Sequence, residues 1–515
     1  MQQLGRMVII GAGINGLVAA NLAQQKGWQV TLLERHGEVG GACVAATAEL
    51  EGQQHDYALG ASVLGLMQDF VWQQTGLANR LQAWAPTHPK LVHFPQEQEP
   101  AWIYRDPERL DQEFRQRFGE KGDLAKFRAD EDRVVRFLQQ GYATGHAPTL
   151  EAAEAALGAE LTALWISGSA QQLLTHYLTA ERTRLYMAMT VTESSPVSLR
   201  EPGTAFTIPM MDSGSVFGSY YGFVRGGIWQ VTRTLADLNR EMGVQIHTGC
   251  HVDGIDVDAG TVHSSAGTLP FDELVLATDP VTASRLTGNE PLAQRTAKER
   301  VLGSAGKLNL LFRRPVRWKH GSTAADSDAA FRFLFAVDSL DAFEQATLAV
   351  LDGKTDYAPG YYQVYCEGAA MRQQGLHENY DRLAVFFKNL ALGQSGEQLA
   401  AVEQDVIGRL RPLIENPQDL AWSRLLTPRD LQQRFGFPGG NLEHTELAPG
   451  QLFAERGYCS HPQQRFYGFG DMERVSLCGS STYPCGSVAG TPAWMCIQEL
   501  LRHRSGAAVS QAGRD

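Results

Sequence analysis

The chain has 515 residues, of which 43% are hydrophobic and 20% charged, and its formal net charge is −12. A chain of this length is expected to form more than one domain. The excess of acidic residues argues against a nucleic acid partner.

The sequence also bears on compartment and metal binding. No apolar stretch reaches the roughly 18 residues that a membrane-spanning helix needs. The first residues, MQQLGRM, leave no room for a signal peptide before the first predicted strand. The seven cysteines are scattered, which predicts reduced thiols. We therefore expect a cytoplasmic protein and, because no histidine pair has the spacing of metal ligands, no metal site.

A dinucleotide-binding pattern opens the chain. Residues 7–10 form a short β-branched run typical of a buried parallel strand, and Gly11-x-Gly13-x-x-Gly16 follows, leading into a helical pattern. In such a unit the first glycine forms the turn, the second lets the backbone approach a pyrophosphate, and the third lets the helix pack closely on the strand. We predict that these glycines hold a pyrophosphate at the helix N-terminus.

The next predicted strand, residues 28–33, narrows the choice of dinucleotide. It ends at Glu34, whose carboxylate could accept hydrogen bonds from ribose hydroxyls and would repel the 2′-phosphate of NADP. Gly40 and Gly41 follow, a pair that glutathione-reductase-type flavoproteins use to approach the same pyrophosphate from the other side. We therefore predict FAD, with Glu34, the adjacent Arg35, Gly40 and Gly41 in its site.

Two later stretches of the chain also combine predicted strands and helices with turns or glycine-rich loops. Residues 222–258 predict a turn, a helix and two strands, and the apolar strand at 273–277 returns to the parallel sheet. Residues 473–501 predict a strand, a glycine-punctuated loop and a helix from about Val488. If that helix points its N-terminus at a flavin ring, its dipole favours the negative charge that builds up as the flavin accepts hydride.

The intervening blocks combine helical periodicity with aromatic strands such as 331–335, and we predict that they form an inserted substrate domain. The predicted FAD-binding domain comprises 1–85, 221–290 and 435–505. The predicted substrate domain comprises 86–220 and 291–434, and 506–515 is predicted as a flexible tail.

Taken together, the motifs resemble the FAD-dependent amine oxidase and phytoene desaturase superfamily, and most closely its phytoene dehydrogenase-related branch of carotenoid desaturases and isomerases. The resemblance rests on GAGINGLVAA, DYALGASVL, RDPERL, RGGIWQVTRTL, LATDP, GGNLEHTELAPGQLF and LCGSSTYPCGSVAG. It implies an α/β fold: a Rossmann-type, glutathione-reductase-like FAD-binding domain with an inserted α+β substrate-binding domain.

The resemblance also implies contacts to FAD. Val252 would present its backbone to the adenine, and Gly486, Ser487 and Val488 would touch the pyrimidine edge of the flavin, with Gly479 in the same loop.

Two residues bear on catalysis. Lys307 matches a lysine that holds a water near flavin N5 in amine oxidases and could assist proton movement or reaction with oxygen; alternatively, it snorkels at a strand edge. Tyr483 could line the substrate cavity; alternatively, it fills a turn.

Two departures from the family pattern reshape the wall near the ring. Tyr483-Pro-Cys-Gly-Ser487 stands where carotenoid-type relatives have His-Pro-Gly-Gly-Gly, and Ala42-Cys43 replaces the more typical arginine after Gly41. Whether carotenoids are substrates therefore stays open. We expect a small, largely apolar organic substrate that loses a hydride from a C–H bond to form a double bond, with oxygen or a quinone reoxidising FAD.

Alternatives stay open. An amine or amino-acid oxidase would take hydride from a carbon next to nitrogen, although Val488 and Ala489 stand where amine oxidases place an aromatic wall. A redox-neutral isomerase would use reduced FAD, and a binding or maturation protein would keep FAD as a structural relic. Attachment to a membrane surface also stays open, although no strongly basic amphipathic helix indicates it.

Overall fold

The computed structural model describes residues 4–193, 195–320 and 329–512. In chain order its strands are β1 (Gly5–Ile10), β2 (Trp28–Leu33), β3 (Ala45–Leu50), β4 (Gln53–Ala58), β5 (Ala83–Trp84), β6 (Lys90–His93), β7 (Ala101–Ile103), β8 (Phe223–Val224), β9 (Gln245–His247), β10 (Val252–Asp256), β11 (Thr261–Ser264), β12 (Gly267–Pro270), β13 (Glu273–Leu276), β14 (Gly306–Phe312), β15 (Phe331–Phe335), β16 (Tyr361–Tyr365), β17 (Asp381–Phe387), β18 (Leu420–Leu426) and β19 (Val475–Leu477).

The α-helices are α1 (Ile14–Lys26), α2 (Asp69–Gln74), α3 (Pro107–Arg117), α4 (Leu124–Thr144), α5 (Leu150–Leu157), α6 (Ala159–Trp165), α7 (Ala170–Tyr177), α8 (Glu181–Ala188), α9 (Thr207–Met211), α10 (Gln230–Glu241), α11 (Pro280–Thr287), α12 (Glu290–Thr296), α13 (Leu340–Leu351), α14 (Glu367–Arg372), α15 (Gly396–Leu410), α16 (Pro428–Asp430) and α17 (Thr491–Ala512). In the described ranges, none of them is both long enough and apolar enough to cross a membrane.

A parallel sheet of five strands has the order β19-β13-β1-β2-β9. The central strand β1 is buried from Met7 to Ile10, as its β-branched sequence predicts. Because the strands are parallel, the residues that follow β1, β2, β13 and β19 meet at one edge of the sheet, which is where ligands bind in folds of this type.

A mixed sheet of seven strands has the order β18-β14-β17-β16-β15-β6-β7. The pairing of β6 with β15 is parallel and the other pairings are antiparallel. Strands β15 and β16 are buried at every residue, so both faces of this sheet are covered and neither strand alternates between apolar and polar residues. All seven strands come from the stretches predicted as the substrate domain; the domain boundaries themselves stay a prediction.

The last helix differs in extent from the prediction. It begins at Thr491 rather than near Val488, because Gly490 has a left-handed φ of +69° and cannot belong to a right-handed helix. The helix continues to Ala512 and so includes most of the segment predicted as a flexible tail. Residues 513–515 lie outside the described part of the chain.

Candidate active site

The glycine-rich turn after β1 has the geometry of an anion-binding site. The Gly11 N–H donates to the Leu33 carbonyl oxygen at 2.8 Å, which joins the ends of β1 and β2. A Cβ at position 16 would lie only 1.8 Å from the Gly11 carbonyl oxygen, so the approach of α1 to the turn requires glycine there. The helix has Gly13 as its N-cap and no side-chain cap, which leaves N–H groups of the first turn available to a phosphate.

The second glycine pair packs against this turn. Gly40 donates its N–H to the Ala12 carbonyl oxygen at 2.8 Å. A Cβ on Gly41 would lie 3.3 Å from the Cα of Gly13. The two backbone segments therefore form a narrow cradle with no side chains between them. This cradle fits the diphosphate of a dinucleotide such as FAD.

The predicted adenosine end lies beside the cradle. One oxygen of the buried Glu34 carboxylate accepts the Ala12 N–H at 2.8 Å, and the other accepts the His36 N–H at 2.9 Å. Arg35 is exposed, with its guanidinium beside Gly436. Val252 at the start of β10 lies on the same cavity as both residues.

One continuous cavity connects these residues with the loop before α17. It is lined at one end by Gly11, Gly13, Glu34, Arg35, Gly40, Gly41 and Val252, and further along by Ser480, Ser487 and Val488. Gly479 and Gly486 do not line it but shape the loop. A Cβ on Gly479 would lie 2.1 Å from the Thr278 carbonyl oxygen, and the Gly486 N–H donates to the buried carboxylate of Glu443.

Lys307 also lies on this cavity. It belongs to β14, between β17 and β18, and is only 4% exposed. Its Nζ donates to the Ala58 carbonyl oxygen at 2.5 Å, with the Leu59 and Ala61 carbonyl oxygens at 3.4 Å. Burial lowers the pKa of this ammonium group to about 8. A lysine snorkelling at a strand edge is thus not what the structure shows.

A further set of residues on the same cavity forms what we define as the inner chamber: Leu66, Glu193, Met211, Tyr221, Tyr365 and Phe386. Its wall is mostly apolar and aromatic. Glu193 is the exception, and burial raises the pKa of its carboxyl group. The chamber thus offers an apolar enclosure with one acidic group.

The match to a known family agrees with this geometry. The sequence profile of the family described as flavin-containing amine oxidoreductase matches residues 14–359, which is more than half of the chain. The chain belongs to this family. FAD as its cofactor and the assignment as an FAD-dependent oxidoreductase are thereby confirmed.

Individual relatives are distant. An uncharacterised protein of Mycobacterium tuberculosis is 26% identical over 294 residues, which cover 52% of each chain. The 4,4′-diapophytoene desaturase of Staphylococcus aureus is 22% identical over 289 residues, covering 53% of this chain and 55% of the desaturase. The chain thus spans about half the length of the curated relatives it matches.

Solved structures confirm the predicted fold class. Cyclohexylamine oxidase from Brevibacterium oxydans superposes with a TM-score of 0.57 at 14% identity, covering 99% of this chain and 100% of that one. Putrescine oxidase bound to putrescine superposes with a TM-score of 0.57 at 14% identity, covering 98% of this chain and 99% of that one. The Rossmann-type FAD-binding domain with a second, substrate-binding domain is therefore established for this family member.

The structure does not place every predicted site residue on the cavity. Tyr483 is fully buried and is not part of the cavity wall; its ring packs against those of Tyr142, Phe453 and Phe466. Its contacts are thus with aromatic rings distant in sequence, and a direct contact of Tyr483 with substrate stays a prediction.

Sequence reasoning missed Glu193, Tyr365 and Glu443. Glu443 lies in the motif GGNLEHTELAPGQLF, but no local pattern indicates that its carboxylate lines the cavity. Glu193 and Tyr365 have no local motif, because they meet only through the tertiary structure.

Proposed function

We propose that this flavoprotein removes a hydride from a C–H bond of a small organic substrate and leaves a double bond, with C=C formation as the first candidate. The observation that carries the proposal is one continuous cavity, which is lined by the glycine cradle, by Lys307 and by the residues of the inner chamber. A substrate in the chamber would be screened from water and adjacent to the flavin end of the cavity.

The cradle formed by Gly11, Gly13, Gly40 and Gly41 would hold the diphosphate of FAD. Glu34 would face the adenosine ribose, while Ser487 and Val488 would lie against the flavin ring. Bound FAD supplies the hydride acceptor. The chain supplies orientation, exclusion of water and, at Lys307, an ammonium group that could hold a water or proton near the ring.

Two features support C=C formation. The chamber wall contains Leu66, Met211 and Phe386, which suit an apolar substrate body. One of the distant relatives is named as a desaturase. We therefore assign the substrate as largely apolar, with a polar group directed at Glu193.

Amine oxidation is the second candidate because of one specific arrangement. Glu193 lies in the same chamber as the rings of Tyr221 and Tyr365, so a carboxylate and aromatic rings are available to a substrate ammonium group. These rings would serve as the aromatic wall that Val488 and Ala489 do not provide. Two of the structural neighbours are named as oxidases of amines.

Anaerobic absorption titration separates the candidates. The FAD-loaded protein is mixed with polyenes and terpenoids in detergent and then with amines and amino acids, and free FAD under the same conditions is the control. Bleaching by an alkene precursor alone supports C=C formation, and bleaching by an amine alone supports the second candidate. Conversion of a substrate only by pre-reduced protein, without net oxidation, would instead establish an isomerase. Readmission of oxygen or a quinone then identifies the electron acceptor.

A further inference from the structure

Among the described residues, four carboxylates line the cavity, and three of them accept backbone N–H groups. Glu34 accepts N–H groups of Ala12 and His36. Asp279 accepts the Thr282 N–H at 2.8 Å and caps α11, and Glu443 accepts the Gly486 N–H. These bonds hold the loops around FAD, so they leave these carboxylates poorly placed to exchange protons with a substrate.

The fourth, Glu193, is bound differently. Among the described residues, the Gln363 side chain on β16 favours its charged form, and no backbone N–H is bonded to its carboxylate. Glu193 lies on the wall of the inner chamber, which belongs to the same cavity as Lys307. It is therefore the carboxylate of the chamber that can reach a substrate without releasing a backbone N–H.

Charged and titratable groups on several elements interact with Glu193. These groups are Lys90 on β6, Asp212 after α9, Tyr221 before β8, Tyr361 and Tyr365 on β16, Lys388 after β17 and Cys485 in the loop before α17. Burial raises the pKa of Glu193, the Lys388 and Lys90 ammonium groups oppose that rise, and Asp212 adds to it. A carboxyl group with a raised pKa holds its proton up to a higher pH. Near neutrality it therefore accepts a proton more readily than an ordinary carboxylate does.

Lys388 does not line the chamber, although its ammonium group interacts electrostatically with Glu193. It is 3% exposed, its Nζ has no hydrogen-bond partner among the described residues, and it lies 4.4 Å from the ring centre of Phe386. Burial lowers its pKa, and the carboxylates of Glu193 and Glu443 oppose that change. A buried ammonium group without a hydrogen-bond acceptor is costly, and the nearby carboxylates offset that cost electrostatically.

We propose that Glu193 is the catalytic residue that accepts the proton released when the substrate is oxidised, and that Lys388 is the positioning residue that favours its charged form. This inference rests on the proposed function, but it holds for both candidate reactions.

The step balances in either case. One C–H bond breaks and its hydrogen leaves with the bonding pair as hydride, which FAD accepts. The adjacent C–H or N–H bond breaks, its electron pair becomes the second bond of C=C or C=N, and its proton binds a Glu193 carboxylate oxygen. The products are the unsaturated molecule, reduced FAD and a neutral Glu193 side chain.

The first test is Glu193→Gln in the FAD-loaded protein, mixed anaerobically with each compound that bleaches the unmodified protein. The amide keeps the shape but cannot accept the proton, so we expect flavin reduction to slow by about 10²- to 10⁴-fold. Flavin absorbance should be retained, and the rates are compared at saturating concentrations of the compound, because loss of the carboxylate also weakens binding of a polar or ammonium group. The matched control is Glu397→Gln on the exposed start of α15, which should reduce at the unmodified rate.

The second test keeps Glu193 and changes its neighbours, so it remains informative if Glu193→Gln fails to fold. The rate of flavin reduction should rise with pH as Glu193 ionises. Lys388→Met removes a positive neighbour, which raises the pKa of Glu193 and moves this rise to higher pH. Asp212→Asn removes a negative neighbour and moves it to lower pH.

The outcomes separate the inference from the function. If the unmodified protein is bleached and Glu193→Gln is reduced equally fast, or if the two neighbour variants leave the pH profile in place, Glu193 is not the base and the proposed function stands. If no compound bleaches the unmodified protein, the proposed function fails and this inference falls with it. Slow reduction of Glu193→Gln together with opposite shifts of the pH profile would establish both roles.

Discussion

At the scale of single residues, the cofactor site depends on positions where no side chain fits. The contact between Gly16 and the Gly11 carbonyl oxygen is the tightest of these, because a Cβ would lie 1.8 Å away, against rigid backbone. The sequence predicted this glycine from spacing alone, since the requirement is local to one strand, one turn and one helix.

Gly16→Ala should therefore release FAD. The added Cβ forces α1 away from the turn and displaces the N–H groups that would meet the diphosphate. We expect the purified variant to retain little flavin, measured as the ratio of flavin to protein absorbance. Gly37→Ala is the matched control, because a Cβ at position 37 has nothing within 4 Å and should leave the ratio unchanged. Equal flavin content in the two variants would contradict the assignment of the turn.

Lys307 allows a prediction about pH. Burial lowers the pKa of its ammonium group from the ordinary value of 10.5 to about 8 in the folded protein. Between pH 8 and 10.5 the unfolded chain therefore binds more protons than the folded chain does. Stability should therefore rise with pH from about 8 to 10.5, by up to about 3 kcal/mol on the scale of 1.36 kcal/mol per pKa unit.

The measurement compares the free energy of unfolding of the unmodified protein with that of Lys307→Met at several pH values, so that other titrating groups cancel. Across this range, the free energy of unfolding of the unmodified protein should increase relative to that of the variant. Parallel pH profiles for the two proteins would show that the ammonium group is not held at a lowered pKa.

At the scale of elements, buried carboxylates tie helices together through backbone N–H groups. Glu120, between α3 and α4, accepts the N–H groups of Gly122, Thr179 and Ala180, together with the Thr179 hydroxyl. Burial opposes its ionisation, but these four bonds together outweigh burial and lower its pKa to about 2. The carboxylate thus fixes the segments before α4 and α8 to each other.

Glu120→Gln should destabilise the protein by about 1–3 kcal/mol at neutral pH, because an amide nitrogen cannot accept these bonds. Because the ionised carboxylate accepts these bonds, the loss of stability should also depend on pH. The contribution of Glu120 is present above its unfolded pKa of about 4.5 and disappears as pH falls through about 2. Urea unfolding at several pH values measures it, with exposed Glu154→Gln on α5 as control. A loss of stability that is the same at acid and neutral pH would contradict this reading.

At the scale of the whole molecule, the cavity is built from both sheets. The cradle lies at the edge of the parallel sheet, whereas Lys307, Tyr365 and Phe386 come from strands of the mixed sheet. A ligand that fills this cavity therefore stabilises both parts of the chain.

FAD should accordingly raise the melting temperature of the whole molecule in one transition. Saturation to 100 times the dissociation constant contributes about 2.7 kcal/mol to the folded state. Calorimetry of the protein with and without FAD measures the shift, and ADP is a control that would fill only the cradle end. Two separate transitions, of which FAD moves one, would contradict a cavity shared by the two sheets.

The sequence by itself determined the cofactor, because the Gly11–Gly16 turn, Glu34 and the Gly40–Gly41 pair act within one short βαβ unit whose geometry is local. It also determined the fold class, through motifs at both ends of the chain that are specific to the superfamily. Only the tertiary structure decided which side chains line the proposed substrate chamber. Glu193, Tyr221 and Tyr365 are far apart in sequence and line one cavity only in the folded chain. Tyr483, which belongs to the loop motif, instead packs in an aromatic cluster away from the cavity wall. Spacing along the chain carries no information about such meetings, since they depend on how distant elements pack.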